Sequence, residues 1–119
     1  MKNILLGVSG SISAYKAADI TNQLTKLGYN LDVVMTKSST DFITPLTIQS
    51  LSHRRVHLDV IEEPDAALIN HIALAKAADL FLVAPASANI IGKLANGFAD
   101  DLLSTVALAL LPDTPKVIA

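Results

Sequence analysis

Short apolar runs without polar alternation recur along this chain, and segments of helical periodicity separate them. Asn3–Val8, Leu31–Met35 and Leu80–Ala84 each have the pattern of a strand that is buried on both faces. Between the first two, apolar residues recur at helical spacing from Ile12 to Leu27, and Gly28 is placed to end that helix. Strands and helices that alternate in this way predict an α/β fold with a parallel sheet and right-handed crossovers.

Local signals predict the remaining elements. A hydroxyl at Thr44 followed by Pro45 is typical of a helix start. Asp100 is expected to cap a later helix, because carboxylates favour helix N-termini. The other predicted elements are a short strand at Val56–Val60, helices at Ala67–Asp79, Asn89–Ala95 and Asp101 to about Leu110, and a last strand in the final four residues, KVIA.

Composition narrows the class of protein. The 119 residues fit one domain, and a 51% apolar content suits a sheet covered on both faces or a subunit that buries surface against its own copies. The net charge is −2, and no basic run interleaved with aromatics appears, so we expect no nucleic-acid partner. The absence of cysteine excludes disulfides and thiolate metal sites within these residues.

Membrane and metal binding are not expected either. No apolar stretch reaches the roughly 18 residues that a bilayer requires, so a cytoplasmic protein is predicted. The three histidines show no HxxxH or HxH spacing, so no metal site is predicted. Because the sequence stops at the carboxyl end of a predicted strand, where ligands bind in parallel sheets, we expect 1–119 to be a single domain that lacks a C-terminal substrate-clamping segment.

The stretch GVSGSISAYKAAD (7–19) joins the first strand to its helix. It matches neither the dinucleotide motif GxGxxG nor the P-loop, so NAD and ATP are disfavoured. Backbone N–H groups at a helix N-terminus, together with the hydroxyls of Ser9, Ser11 and Ser13, favour a phosphate group, although an ordinary capped turn explains them equally well.

Two further polar loops follow strands of the same predicted sheet. TKSS (36–39) brings hydroxyls and a lysine, and PASAN (85–89) brings small residues and an amide. Each alone is more simply a loop or a cap, but carboxyl ends of parallel strands share one edge, so all three loops are expected to line one crevice. Phe42 could lie against a flat ring there, although a core role is the commoner one.

His71 stands apart from the other histidines, because it begins an apolar helical turn. A lone histidine in such a place is usually structural, yet an imidazole near a crevice suits proton transfer at neutral pH. Asp100 and Asp101 are adjacent, and adjacent side chains at a helix start are expected to point apart, which favours capping over paired catalysis.

Taken together, these motifs resemble the FMN-dependent cysteine decarboxylase family of flavoproteins along the whole chain. The segments that carry the resemblance are GVSGSISAYK, VVMTKSSTDFITPLTIQSLS, NHIALAKAADLFLVAPASANIIGKLANGFADDLLST and KVIA. The resemblance implies a three-layer α/β/α fold of flavodoxin-like or Rossmann-like type, with FMN as cofactor. A PAMN motif and a cysteine-bearing lid, which the family has farther along, would follow Ala119.

The resemblance also implies roles for particular residues. His71 matches the family's active-site histidine, and it is expected to serve the site of a neighbouring copy. Ile90 departs from the family pattern, which usually has a hydroxyl there. The cofactor-binding residues expected, with Phe42 included, are Gly10, Ser11, Ile12, Thr36, Lys37, Ser38, Phe42, Ser87, Ala88, Asn89 and Ile90.

The function implied is decarboxylation of 4′-phosphopantothenoylcysteine to 4′-phosphopantetheine in coenzyme A biosynthesis. Oxidation of the cysteinyl side chain by a bound flavin would let sulfur delocalise the electrons that CO₂ leaves behind. The resemblance further implies a homotrimer or a dodecamer of four trimers, and a phosphopantothenate–cysteine synthetase as a possible partner. The alternatives are a peptidyl-cysteine decarboxylase, a flavin prenyltransferase, a non-catalytic FMN-binding regulator, and an α/β domain without a ligand.

Overall fold

The backbone follows the alternation of strands and helices that the sequence predicts. A computed structural model describes residues 2–58 and 64–119. The strands are β1 (Asn3–Val8), β2 (Asn30–Met35), β3 (His57–Leu58), β4 (Leu80–Val83) and β5 (Lys116–Ile118). The helices are α1 (Lys16–Lys26), α2 (Pro45–Ser52), α3 (Pro64–Ala77), α4 (Ala88–Asn96) and α5 (Leu102–Ala109). Residues 59 and 60 of the predicted third strand lie outside the described residues.

The five strands form one parallel sheet in the order β3-β2-β1-β4-β5. The chain runs outward from β1 to β3 and then crosses to the other side of β1 to place β4 and β5. The strand order therefore reverses between β1 and β4, where Gly7 is in register with Val83. In open α/β sheets a ligand binds outside the carboxyl ends of the strands at such a switch point.

The inner strands β1, β2 and β4 are largely buried on both faces, as unalternated strands require, whereas the edge strand β5 is exposed. Leu6 and Val33 point to one face, where they belong to a core that also contains Ala17 of α1 and Ile48 of α2. Leu5, Phe81 and Val83 point to the other face, where side chains of α3, α4 and α5 cover them. The predicted α/β fold, with a parallel sheet between two helical layers, is confirmed.

The first helix begins later than its periodicity indicates. Ile12–Tyr15 forms a tight 3-10 turn, and α1 starts only at Lys16. The hydroxyl of Ser11 accepts a hydrogen bond from the Ser13 backbone N–H and so caps the turn. Because residues in a 3-10 turn repeat every three positions, the apolar spacing alone did not separate the turn from the helix.

Helix α5 is capped by Asp101, and the prediction that Asp100 would cap it is wrong. The Asp101 carboxylate accepts from the Ser104 backbone N–H at 2.7 Å, and the Asp101 backbone N–H donates to the Ser104 hydroxyl, which completes a capping box. The cap of α2 is as predicted, because the Thr44 hydroxyl accepts from the Thr47 backbone N–H and Pro45 follows.

Across residues 2–58 and 64–119, no helix combines the length and apolar character that crossing a bilayer requires. Within the same ranges, no three His, Asp or Glu side chains are placed to share a metal ion.

Candidate functional site

A cavity of about 400 Å³ opens at the carboxyl edge of the sheet, beside the switch point. Its volume lies within the range of about 300–1,000 Å³ that is typical of small-molecule sites. The loop after β1, the loop after β2, helix α4 and the start of α5 contribute its wall. The lining residues are Ser9, Thr36, Lys37, Ser38, Asp41, Ser87, Asn89, Ile90, Lys93, Asp100 and Asp101.

Ser9 joins the loop after β1 to the loop after β4. Its hydroxyl donates to the Pro85 carbonyl at 2.6 Å and accepts from the Ser87 backbone N–H at 2.7 Å. The Ser9 backbone N–H also donates to the Pro85 carbonyl, at 3.2 Å. These three bonds involve a residue that is 1% exposed, so they hold the two loops in a fixed relation at the bottom of the cavity.

Gly10 lets the loop after β2 approach the loop after β1. A Cβ atom at this position would lie 2.5 Å from the Ser38 hydroxyl oxygen, 2.8 Å from the Ser38 Cβ and 3.2 Å from its carbonyl carbon. Every residue with a side chain would therefore displace Ser38, which lines the cavity. The requirement for glycine at residue 10 comes from this close approach.

The loop after β2 is held by its own hydroxyl groups. The Ser39 hydroxyl, which is fully buried, donates to the Thr36 carbonyl at 2.6 Å, and the Thr36 hydroxyl accepts from the Ser39 backbone N–H at 3.2 Å. The hydroxyls of Thr36 and Ser38 lie 3.3 Å apart. This network stabilises a short turn and leaves Ser38 and Lys37 exposed at the cavity.

The third loop places a helix N-terminus at the cavity. The Ser87 hydroxyl accepts from the Ile90 backbone N–H and caps α4, a common role for serine at a helix start. Asn89 is exposed in the first turn and lines the cavity. The positive end of the helix dipole, the amide and the neighbouring hydroxyls together suit an anionic group such as a phosphate.

Lys93 of α4 lines the cavity, and ion pairs join it to the two aspartates that precede α5. Its ammonium lies 3.0 Å from a carboxylate oxygen of Asp100 and 3.0 Å from one of Asp101. The two aspartates therefore converge on one cation, and the expectation that adjacent acidic side chains point apart is wrong. Hydrogen bonds to Asp101 and Asp100 raise the pKa of Lys93, so its ammonium stays charged.

Asp101 also remains ionised. Burial would raise the pKa of its carboxyl, but hydrogen bonds from Ser104 and Lys93 outweigh that effect and lower the pKa below the ordinary value for aspartate. Both carboxylate oxygens have partners, because one accepts from the Ser104 backbone and hydroxyl while the other accepts from Lys93.

The structure brings together about half of the residues predicted to hold a cofactor. Ile12 and Phe42 are 81% and 49% exposed and do not line the cavity. The expected places of Ile12 at the phosphate end and of Phe42 against the flavin ring stay predictions. The predicted residues that line the cavity are Thr36, Lys37, Ser38, Ser87, Asn89 and Ile90. Those that do not are Gly10, Ser11, Ile12, Phe42, Ala88 and His71.

None of the three histidines lines the cavity of its own chain. His71 is partly buried on α3. His53 is exposed at the end of α2 with a left-handed backbone, φ 60°. His57 is partly buried in β3, where desolvation lowers its pKa although Asp32 acts in the opposite direction.

Sequence reasoning assigned no ligand role to the charged wall of the cavity. Asp41, Lys93, Asp100 and Asp101 all line it. Lys93 lies seven and eight positions before the two aspartates, and the end of α4 and the turn before α5 lie between them, so helical periodicity does not pair them. The sequence does contain a lysine before the Asn96-Gly97 helix end and two aspartates after it, which is the pattern from which this ion-pair cluster could have been predicted.

A protein-family model described as Flavoprotein matches residues 1–119. The chain belongs to the Flavoprotein family. This membership and the fold confirm the resemblance on which the sequence predictions rest.

Two relatives of this flavoprotein chain carry names that bear on its function. It is 59% identical over 118 residues to a probable phosphopantothenoylcysteine decarboxylase of Streptococcus mutans, covering 99% of the chain and 66% of the relative. It is 51% identical over 108 residues to the coenzyme A biosynthesis bifunctional protein CoaBC of Bacillus subtilis, covering 91% of the chain and 27% of the relative. The chain thus spans only part of the length of both.

Solved structures include similar folds. The flavoprotein chain superimposes on a crystal structure described as the FMN-dependent cysteine decarboxylase SpaF with a TM-score of 0.86 and 31% identity, covering 100% of this chain and 67% of that one. The three-layer flavoprotein fold expected from the sequence is thereby confirmed.

Proposed function

We propose that this chain binds FMN in the cavity at the switch point and decarboxylates 4′-phosphopantothenoylcysteine to 4′-phosphopantetheine in coenzyme A biosynthesis. The observation that carries the proposal is the convergence of hydroxyl-bearing loops from three strands on one cavity in a member of the Flavoprotein family. The names of the streptococcal and Bacillus relatives support the reaction and the pathway.

The lining residues fit a flavin mononucleotide. Ser38, Ser87 and Asn89 offer hydroxyl and amide groups to its phosphate and ribityl chain, and the N-terminus of α4 favours the phosphate charge. Gly10 keeps Ser38 in the cavity wall, because any side chain at residue 10 would displace it. When bound, FMN supplies reversible hydride transfer to and from the cysteinyl side chain, which side chains alone do not provide.

His71 is proposed to orient the substrate carboxylate and to act as acid or base beside the reacting carbons. Because it does not line the cavity of its own chain, this role requires a neighbouring copy to bring its α3 against the cavity. A homotrimer, or four such trimers, would place the histidine there. Exposed apolar side chains such as Ile12, Leu108 and Phe98 support burial of surface between copies.

A phosphopantothenate–cysteine synthetase is the proposed protein partner. Its reaction would supply the cysteinyl substrate, and the bifunctional name of the Bacillus relative supports this association. The cytoplasmic location stays a prediction.

Flavin binding is the first test of the proposal. The purified chain should be yellow and release FMN on denaturation, or bind added FMN with quenching of the flavin fluorescence. A folded chain that binds no flavin would contradict the proposal and leave the α/β domain without a ligand.

Substrate choice is the second test. The protein isolated from its native cells should release CO₂ from 4′-phosphopantothenoylcysteine but not from a peptide that ends in cysteine. Release from the peptide alone would indicate a peptidyl-cysteine decarboxylase instead. A yellow protein that is inert on both would indicate a non-catalytic FMN-binding regulator.

A further inference from the structure

The two aspartates that hold Lys93 differ in how firmly they are fixed. The side chain of Asp101 is 13% exposed, and it also caps α5 through Ser104. The side chain of Asp100 is 67% exposed, and it forms an ion pair with Lys93. Exposed ion pairs contribute little to stability, so Asp100 can leave Lys93 at small cost whereas Asp101 cannot.

The charged side chains that line the cavity include one more carboxylate than ammonium group. They comprise the ammonium groups of Lys37 and Lys93 and the carboxylates of Asp41, Asp100 and Asp101, which gives the lining a formal charge of −1. Both aspartates at Lys93 mask its charge. A phosphate monoester bound in this cavity within reach of Lys93 would compete with Asp100 for that cation.

We propose that Asp100 is a competing anion at Lys93, which a bound phosphate group displaces, and that it thereby limits how strongly the cavity prefers a phosphorylated flavin to an unphosphorylated one. This inference rests on the proposed binding of FMN. Lys93, held in place by Asp101, then turns from Asp100 to the phosphate, because an ammonium has three donors and can keep the first partner while exchanging the second.

Asp100→Asn tests the inference through binding rather than turnover. The variant removes the competing charge and leaves the Lys93–Asp101 pair intact. We expect FMN affinity to rise roughly two- to fivefold, the size of one exposed ion pair, while riboflavin affinity stays unchanged. Fluorescence titration of both flavins against the full chain measures this. Asp113→Asn is the matched control, because it changes the same charge at an exposed residue that does not line the cavity.

Two further variants identify the cause. Asp100→Glu keeps the charge and should bind FMN as the wild type does. In a Lys93→Met background the gain from Asp100→Asn should disappear, because the cation for which the two anions compete is absent. A gain that persists without Lys93, or one that Asp100→Glu reproduces, overturns the proposed competition.

The outcomes separate this inference from the proposed function. A wild-type chain that binds neither flavin overturns the proposed function and this inference with it. A wild-type chain that binds FMN, with Asp100→Asn no better than Asp113→Asn or with equal changes for FMN and riboflavin, overturns only the inference.

Discussion

At the scale of single residues, the buried hydroxyl of Ser9 and the lack of a side chain at Gly10 determine the relative positions of the loops that line the cavity. Ser9 bonds to both Pro85 and Ser87, and Gly10 allows Ser38 to approach. The two residues are adjacent and directly follow β1. Ser9 fixes the loop after β4 through hydrogen bonds, and Gly10 positions the loop after β2 through close packing.

Ser9→Ala should lower the free energy of unfolding by about 1–3 kcal/mol, because the partly buried Ser87 N–H loses its acceptor. Urea unfolding measures the loss. Ser50→Ala is the control, since that hydroxyl bonds to Leu46 within its own exposed helix face, and we expect a change within about 0.5 kcal/mol. Equal effects of the two variants would contradict a connecting role for Ser9.

Gly10→Ala should weaken FMN binding by at least roughly tenfold, which corresponds to about 1.4 kcal/mol, because the added methyl displaces Ser38 from the cavity wall. Flavin titration checks this. The matched control is Gly92→Ala in α4, where no atom other than those of the adjacent residues and the helix's own backbone lies within 4 Å of the added Cβ. That variant should bind FMN normally and gain about 0.5–1 kcal/mol of stability from the better helix former. Unchanged FMN binding in Gly10→Ala would show that the close approach has no role in the site.

At the scale of elements, the residues that cap α4 and α5 stabilise these helices and also line the cavity. Asp101 caps α5 and at the same time holds Lys93 of α4, so one carboxylate ties the two helices together. The cavity wall between α4 and α5 therefore depends on the ionisation of this group.

The stability of the protein should fall in acid partly through Asp101. Its pKa is lowered in the folded state, whereas an aspartate in an unfolded chain titrates near about 3.9. The contribution is complete above about pH 4 and is lost as the pH falls from there through the lowered folded pKa. Asp101→Asn should cost about 1 kcal/mol at neutral pH and flatten this decline, as urea unfolding between pH 2 and 7 can show. A decline as steep as that of the wild type would contradict the assignment, with Asp113→Asn as the control.

The sequence predicts the strands better than the exact helix ends or the charged cavity wall. Buried strands such as Asn3–Val8 are encoded by their own apolar runs, and the crevice follows from parallel topology. The start of α1 and the choice of Asp101 over Asp100 as cap each depend on a shift of one to four residues, which periodicity does not resolve. The Lys93 cluster forms only when α4 and α5 pack, so it is a tertiary feature.

At the scale of the whole molecule, the proposed role of His71 would make catalysis depend on assembly. The residue lies on α3 and does not line the cavity of its own chain, while exposed apolar side chains offer surface for copies to cover. A single copy would therefore be able to hold a flavin but not to complete the proposed reaction.

His71→Asn should leave FMN affinity within about twofold of the wild type and reduce turnover by about 10²–10⁴, the usual contribution of a general acid or base. Flavin titration and CO₂ release measure the two effects in protein from its native cells. Sedimentation should give a trimer or a multiple of it for both proteins. Wild-type turnover in the variant, or full activity in a monomer, would refute the role of the histidine.

The sheet order also determines when each strand finds its partners during synthesis. β1 leaves the ribosome first but lies in the middle of the sheet, and its second neighbour, β4, ends at Val83. At about 5–20 residues per second, one edge of β1 waits roughly 4–15 s for that partner. A nascent chain thus presents an apolar central strand with one unpaired edge for several seconds, and such an edge is a target for a chaperone that holds emerging polypeptides.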